Sequence, residues 1–307
     1  MNRKSVLLFC FLIIPSFLLW AQNTSEVLKE IDQLWLEGEF SQSLELAEQS
    51  IAICTNDSDT AELLWRRSRA IHDFVMNEYD KENITKEDAL TAYEDAEESA
   101  TESLRLKPAS AWAHYWRSAN IGSWGDTKGI IDSISRLPDL KADLHAALAI
   151  DPAHGDSWSV LAMIDASIPA LFGGSIDRAV SLDRKAVSLW NGEEPFPWEW
   201  YSELTAHLYK RDWSNRKRLG SLDKKAQEYE AHVSNIQEKN RYFEGTIDFS
   251  QVPLYSTMSL EDMSDREETR EVLLWLTGLL ERRLNRTPYE EKMRQEFHKR
   301  LQEWKLP

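Results

Sequence analysis

The sequence is poor in cysteine and in positive charge, and each shortage excludes a class of protein. Its two cysteines, Cys10 and Cys54, are too few for a disulfide framework or a thiolate metal cluster. It carries 36 Lys and Arg against 52 Asp and Glu, a net charge of −16, and a phosphate backbone repels such a chain. Nucleic acid is therefore not an expected partner.

Long apolar runs are also scarce, and the single candidate lies at the start of the chain. Arg3 and Lys4 precede an apolar segment over 6–20, which predicts a signal peptide over residues 1–21. An uncleaved anchor is the alternative. No later run approaches ~20 apolar residues, so no stable membrane insertion is expected after cleavage. Cys10 lacks the preceding small residue of a lipobox. The chain is expected to be exported, to the periplasm, the outer surface or the medium.

Motifs that carry catalysis are missing too. The sequence has no paired-histidine zinc helix, no phosphate-binding glycine loop and no nucleophile elbow, and its seven histidines are scattered. Asp126 and Asp165 are the only carboxylates that attract attention as a glycosidase-like pair. We expect no catalytic residue, no metal and no cofactor, and hence no enzyme.

What the sequence does contain is helical apolar spacing with recurring punctuation. In "IDQLWLEGEFSQSLELAEQSIAIC" (31–54), Gly38 ends one helix and a second begins near Ser41. Two further stripes of apolar and small residues run into Pro108 and Pro152, which cannot continue a helix. Recurring helix pairs of this kind are the signature of a repeat array.

This punctuation resembles the tetratricopeptide repeat (TPR), which implies an all-α, right-handed solenoid of helical hairpins. The resemblance predicts TPR-like repeats over 22–192 and a C-terminal helical extension or cap over 193–307. About four helix pairs are expected, over 24–57, 60–108, 109–152 and 155–191. Insertions are expected to separate the helices of two pairs, at 77–88 and 122–139.

Two narrower resemblances suggest functions. "ELLWRRSRA", "AHYWRSANIG", "TKGI" and "ALAIDPAHGDSW" resemble the branch typified by regulators of microtubule dynamics. This implies a protein-interaction scaffold that holds a partner protein or an extended peptide in a concave groove. "LFGGSIDRAVSLDRKAVSL" is similar to the T components associated with TRAP transporters, which implies a periplasmic accessory that binds a small anionic ligand.

Two Trp-Arg pairs mark the predicted groove. On a helix, Trp65, Arg69 and His72 form a stripe beside the core positions, and Trp116, Asn120 and Ser123 form a matching one. Indole faces and guanidinium groups suit an acidic peptide or a carboxylate ligand. The predicted groove residues are Trp65, Arg66, Arg69, His72, Trp116, Arg117, Asn120 and Ser123. The alternative is purely structural, with the arginines paired to the acidic segment 78–102.

A second basic stretch, "KRDWSNRKRLGSLDKK" (210–225), has seven cations against two acids. The simplest interpretation is that it balances the acidic insertion at 77–88 across the fold. An acidic partner or an anionic membrane surface is the alternative.

Overall fold

The computed structural model describes residues 24–307, and thirteen α-helices with three short 3-10 helices account for its regular structure. No strand occurs within 24–307, so the expected all-α fold is confirmed. The predicted signal peptide over 1–21 lies outside the described residues. None of the described helices has the length and hydrophobicity of a membrane span.

Eight helices form four antiparallel pairs, each made of a first and a second helix. The pairs are α1 (Thr24–Leu36) with α2 (Phe40–Ile53), α3 (Asp57–Asp80) with α4 (Lys86–Leu106), α5 (Ala111–Lys128) with α6 (Ile130–Ile150), and α7 (Gly155–Ser167) with α8 (Ile176–Val187). Gly38 has φ +83°, a conformation that favours glycine, and it makes the turn between α1 and α2. Completely buried alanines such as Ala47 and Ala179 allow the helices to approach closely.

Local sequence signals set the helix boundaries. The Thr85 hydroxyl accepts a hydrogen bond from the Asp88 backbone N–H, and Asp88 accepts one from the Thr85 backbone N–H, which forms a capping box at the start of α4. Thr287 and Glu290 form the same box at the start of the last helix, with Pro288 at its first turn. Side-chain N-caps begin most of the described helices, and three of these caps are capping boxes.

The two predicted insertions are wrong as loops. Residues 77–80 extend α3 to 24 residues, and only 81–85 separate it from α4. The segment 122–139 belongs to α5 and α6, which are divided by Gly129 alone at φ +137°. Pro138 lies inside α6. Acidic and polar composition suggested a loop, whereas packing between the paired helices keeps both segments helical.

The first helices of the pairs lie on the concave side of the array. Helix α1 packs on α3, α3 on α5, and α7 on α9 (Trp198–Arg211), the helix that follows the four pairs. The second helices are further apart, and an open cleft of about 450 Å³ separates α2 from α4. The side chains that successive first helices share therefore face inward, and we call this surface the inner face.

The C-terminal part adds five helices and turns back toward the start of the array. These are α9 (Trp198–Arg211), α10 (Asn215–Ala231), α11 (Ile236–Asn240), α12 (Asp265–Arg282) and α13 (Pro288–Glu303). Helix α9 packs on α7, α8 and α12, and α13 packs on α12. The predicted boundary between 192 and 193 stays a prediction.

Helix α13 reaches the first two pairs. Pro288 lies beside Gly38, where an added Cβ would stand 3.7 Å from the proline ring. Lys292 Nζ lies 2.8 Å from Asp80 Oδ2 at the end of α3. These contacts connect the two ends of the described chain and bound the inner face on one side.

A buried network of four cations and four anions fastens the C-terminal part to α8. Arg211 Nε lies 2.7 Å from Asp265 Oδ2, and its Nη1 lies 2.7 Å from Glu244 Oε2. Glu244 also accepts from Arg184 of α8 at 2.9 Å. Burial alone would raise the pKa of Glu268, but Arg184 and Arg218 lower it to about 2. The members are Asp177, Arg184, Arg211, Arg218, Lys225, Glu244, Asp265 and Glu268.

This network corrects the interpretation of the basic stretch 210–225. Arg218 and Lys225 lie seven residues apart on one face of α10, Arg211 ends α9, and all three are buried. Their partners are acids of the C-terminal part together with Asp177, not the acidic segment 77–88. Charge within this stretch therefore serves packing.

We predict that Glu244→Gln lowers the free energy of unfolding by about 3–5 kcal/mol, because it leaves Arg184, Arg211 and Lys225 buried with too few anions. Urea denaturation measures the change. Glu261→Gln is the matched control, since that side chain is exposed, and its effect should stay within about 0.5 kcal/mol. Equal effects from both substitutions would contradict a stabilising role for the network.

Candidate functional site

Aromatic rings from the first helices of the four pairs contact one another in a row on the inner face, and Trp200 of α9 lies beside them. The rings of Trp35 and Trp116 have centroids 6.5 Å apart, those of Trp116 and Tyr115 are 5.0 Å apart, and those of Tyr115 and His154 are 5.2 Å apart. This inner row consists of Trp35 (α1), Trp65 and His72 (α3), Trp112, Tyr115 and Trp116 (α5), His154 at the start of α7, and Trp200 (α9). Each helix therefore contributes to one aromatic surface.

A close approach of two helices brings Trp200 into the row. Gly155 at the start of α7 has no Cβ, and an added one would stand 2.2 Å from the Trp200 ring. The indole N–H of Trp200 donates to Asp156 Oδ1 at 2.8 Å. A larger residue at position 155 would thus force α9 away from α7.

The predicted cationic groups of α3 are already paired with acids of the chain. Arg66 makes a two-pronged ion pair with Asp32, with both N–O distances 2.9 Å, and also pairs with Glu62. Arg69 Nη2 lies 2.6 Å from Asp32 Oδ1, and its guanidinium lies over the Trp35 ring. These two arginines do not pair with the segment 78–102 of the structural alternative. Only Arg67 does, through Asp95 at 2.8 Å.

Burial corrects the expectation that the predicted stripes project into an open groove. Trp65, Arg69 and His72 are 4%, 6% and 8% exposed, and Asn120 is completely buried. Long helices explain this burial, because α3 is covered by α1 and α5 as well as by its own partner α4. A role of these side chains in ligand binding stays a prediction.

The structure brings most of the predicted residues together and leaves one apart. His72 Nε2 lies 2.9 Å from Ser123 Oγ, and the His72 ring packs edge-on against Trp116. The Asn120 amide donates to the Trp116 carbonyl oxygen. Arg117, in contrast, pairs with Asp143 of α6 at 2.5 Å and so belongs to the interface within the third helix pair.

Four carboxylates beside the inner row form no ion pair with a Lys or Arg among the described residues, unlike Asp32 and Glu62. Asp73 accepts from the indole N–H of Trp35 at 2.5 Å and contacts His72 Nδ1 at 2.7 Å. Asp156 accepts from Trp200, and Glu203 lies 3.7 Å from His207. The inner-face carboxylates are Asp73, Asp156, Glu199 and Glu203.

Glu199 stands among these groups. Its side chain is exposed to solvent, yet the surrounding concave wall still desolvates the carboxylate. This desolvation, reinforced by the charges of Asp156 and Asp73, raises the pKa of Glu199 to about 7. Burial is the largest cause that raises the pKa of Tyr115 well above its ordinary value. The charges of Asp156, Glu199 and Asp73 raise this pKa further. The centre of the inner face therefore has an excess of negative charge.

Tyr289 of α13 completes this surface. Its hydroxyl is buried and lies beside the Glu199 carboxylate without the geometry of a hydrogen bond to it. Burial, then the charges of Glu199 and Asp73, raise the pKa of Tyr289 well above its ordinary value. The C-terminal helix thus contributes a side chain to a surface built mainly by α1–α9.

The chemical groups that this surface presents are aromatic faces and carboxylates. Within residues 24–307, no three His, Cys, Asp or Glu side chains come together as metal ligands. Of the two carboxylates first considered for catalysis, Asp165 is buried and pairs with Arg178 at 3.2 Å. Asp126 lies at an exposed position, and neighbouring groups partly desolvate its carboxyl, which raises its pKa. Nothing in the described chain joins these two acids across one cleft.

Several residues of the inner face were missed from sequence. Trp112 and Tyr115 share the helical spacing of Trp116, and this run of three aromatic residues was the available signal. His154 is 4% exposed, since it caps α7 beneath Trp112. Glu199 and Tyr289 carry no local signal, because only the return of the C-terminal helices brings them here.

The first part of the chain is similar to known proteins. Residues 27–164 match the family profile described as "Regulator of microtubule dynamics protein 1-3". "Regulator of microtubule dynamics protein 1" of Bos taurus is 32% identical over 132 residues, which are 43% of this chain and 39% of that protein. The Pongo abelii protein of the same name is 30% identical over 44% of this chain and 40% of its own length.

The chain spans about two fifths of the length of these relatives. The expected resemblance to this branch is confirmed for residues 27–164, which hold the inner row except Trp200. A solved structure, a thermophilic TPR protein of Thermus thermophilus, is similar with a TM-score of 0.46 and 16% identity, over 73% of this chain and 98% of that one. None of these proteins favours the transporter resemblance.

We predict that Glu199→Gln raises the melting temperature at pH 8 by about 2 °C or more and leaves it unchanged at pH 5. The folded pKa of about 7 exceeds the ordinary 4.5, so the folded state loses stability as pH rises between these values. Thermal unfolding at both pH values measures this difference. Glu230→Gln, at an exposed position on α10, is the control, and an equal shift at pH 5 and pH 8 would contradict the prediction.

Proposed function

We propose that this chain is a protein-interaction scaffold that holds an extended segment of a partner protein along its inner face. The observation that carries the proposal is the inner row, in which Trp112 is 42% exposed and Trp35, Tyr115 and Trp200 are partly exposed over the buried rings of Trp65 and Trp116. Aromatic side chains dominate the energetics of protein interfaces, because they bury large areas at small cost in conformational entropy. The surface acts by binding and not by chemistry.

Relatedness to the regulators of microtubule dynamics supports a protein partner over a solute. The matched region, 27–164, contains most of the inner row, so the similarity falls on the proposed binding surface. TPR-like arrays generally mediate protein interaction. The aromatic surface runs from α1 to α9, an extent that suits a chain segment more than a small ion.

Trp112 gives the sharpest test of the proposal. Its ring is 42% exposed and stacks on Trp65 at 5.7 Å, so it can contact a partner while resting on the row. We predict that Trp112→Ala reduces recovery of a partner from native extract at least about tenfold, as at an interface hot spot. Quantitative mass spectrometry of captured proteins measures the recovery.

The matched control is Trp304→Ala. Trp304 is also partly exposed, and it stacks on Tyr209 away from the inner row. The Trp304→Ala substitution should leave recovery of the partner unchanged. Circular dichroism should show that both variants are folded. Loss of the same partner with both variants, or with neither, would contradict a binding role for the inner face.

We also propose that the chain is exported through a signal peptide over residues 1–21. The basic start and the apolar run 6–20 support this. We predict that the expressed protein reaches the periplasm or medium with a new N-terminus near Gln22, and that Leu12→Arg keeps it inside the cell. Fractionation and intact mass measure both outcomes. An unprocessed wild-type chain in the cytoplasm would contradict the proposal.

A further inference from the structure

We propose that the segment held on the inner face is cationic, with a Lys or Arg side chain of the partner seated between Glu199 and the aromatic row. This inference rests on the proposed function and specifies the chemistry of the partner. It reverses the sign of charge expected from the sequence, in which the Trp-Arg pairs favoured an acidic ligand.

The first step is that the cations of the site are paired with acids of the chain itself and are poorly accessible to an anionic ligand. Arg66 uses its Nε and Nη2 atoms on Asp32 and its Nη1 on Glu62, so its donors are directed at acids of the chain itself. Arg69 is 6% exposed and also bonds to Asp32. An incoming carboxylate would have to displace these buried partners, at a cost that an exposed ion pair does not have.

The second step is that the acids of the site form no ion pair with Lys or Arg of the described chain, although Glu203 faces His207 at 3.7 Å. Asp73, Asp156, Glu199 and Glu203 form no ion pair with Lys or Arg within residues 24–307. Glu199 is exposed, so an incoming group can reach it. An ammonium or guanidinium beside Glu199 would relieve repulsion that the folded chain otherwise retains.

The third step is that aromatic faces accompany these acids. Asp73 accepts from the indole N–H of Trp35 at 2.5 Å. Asp156 accepts from the indole N–H of Trp200 at 2.8 Å, and Glu199 directly precedes Trp200 on α9. A cation over an aromatic face gains from the quadrupole of the ring. The row already shows this chemistry internally, since Arg66 lies 4.0 Å from the centroid of Trp65 and Arg69 lies 4.3 Å from that of Trp35.

The experiment measures binding of two labelled twelve-residue peptides to the full chain by fluorescence anisotropy at pH 8. One peptide alternates Arg with Ser, and the other alternates Glu with Ser. We expect the Arg peptide to bind at least about tenfold more tightly than the Glu peptide, because the uncompensated charges on the inner face are negative.

Site-specific variants separate this site from the general acidity of the chain. Glu199→Gln should weaken binding of the Arg peptide at least about fivefold, and Tyr115→Leu should also weaken it. Glu230→Gln removes the same charge from the exposed face of α10 and should change affinity less than about twofold. Circular dichroism checks that each variant is folded. Glu203→Gln is a second variant that removes a carboxylate of the inner face.

Each outcome decides between the proposal and an alternative. Equal weakening by Glu199→Gln and Glu230→Gln would show binding by net charge alone and would overturn the proposal. Tighter binding of the Glu peptide would overturn it as well. A partner whose capture depends on Trp112 but whose binding ignores Glu199 would leave the scaffold proposal standing and remove the cationic one.

Discussion

The pairing of Arg211 with Glu244 and Asp265 is the interaction on which the assembled inner face depends. Arg211 ends α9, Glu244 lies in a 3-10 helix that packs on α8 and α10, and Asp265 begins α12. The buried Arg211 guanidinium thus connects α9 to the start of α12, and α13 packs on α12. Helix α9 supplies Glu199, and helix α13 supplies Tyr289. A charge network far from the inner face therefore determines which groups stand at its centre.

Charge compensation decides the sign of the surface. An arginine on a helix face predicts a cationic site only if no acid reaches it, and Asp32 of α1 reaches both Arg66 and Arg69. The negative charge of Glu199, in contrast, is not compensated, since no Lys or Arg forms an ion pair with it among the described residues. Both facts depend on contacts between helices that are far apart in sequence, and a charge count cannot report them.

The region that is similar to known proteins contains only part of the inner face. The matched region 27–164 ends within α7, so it contains the aromatic row up to His154 and Asp156. Trp200, Glu199 and Tyr289 lie beyond it. The aromatic part of the inner face thus falls in the region shared with the relatives, while the carboxylate at its centre comes from the part outside that region. The C-terminal helices therefore decide the charge at the centre of this surface.

The sequence by itself determined the helical class, the pairing of helices and the recurrence of Trp-Arg on two first helices. These features are local: apolar spacing, caps such as Thr85, and breaks such as Gly38 act within a few residues. It could not determine that 122–139 stays helical, that Arg66 and Arg69 are paired with acids of the chain, or that Glu199 and Tyr289 meet the aromatic row. Tertiary structure decided these, because burial and ion pairing depend on which helices pack together across more than a hundred residues of chain.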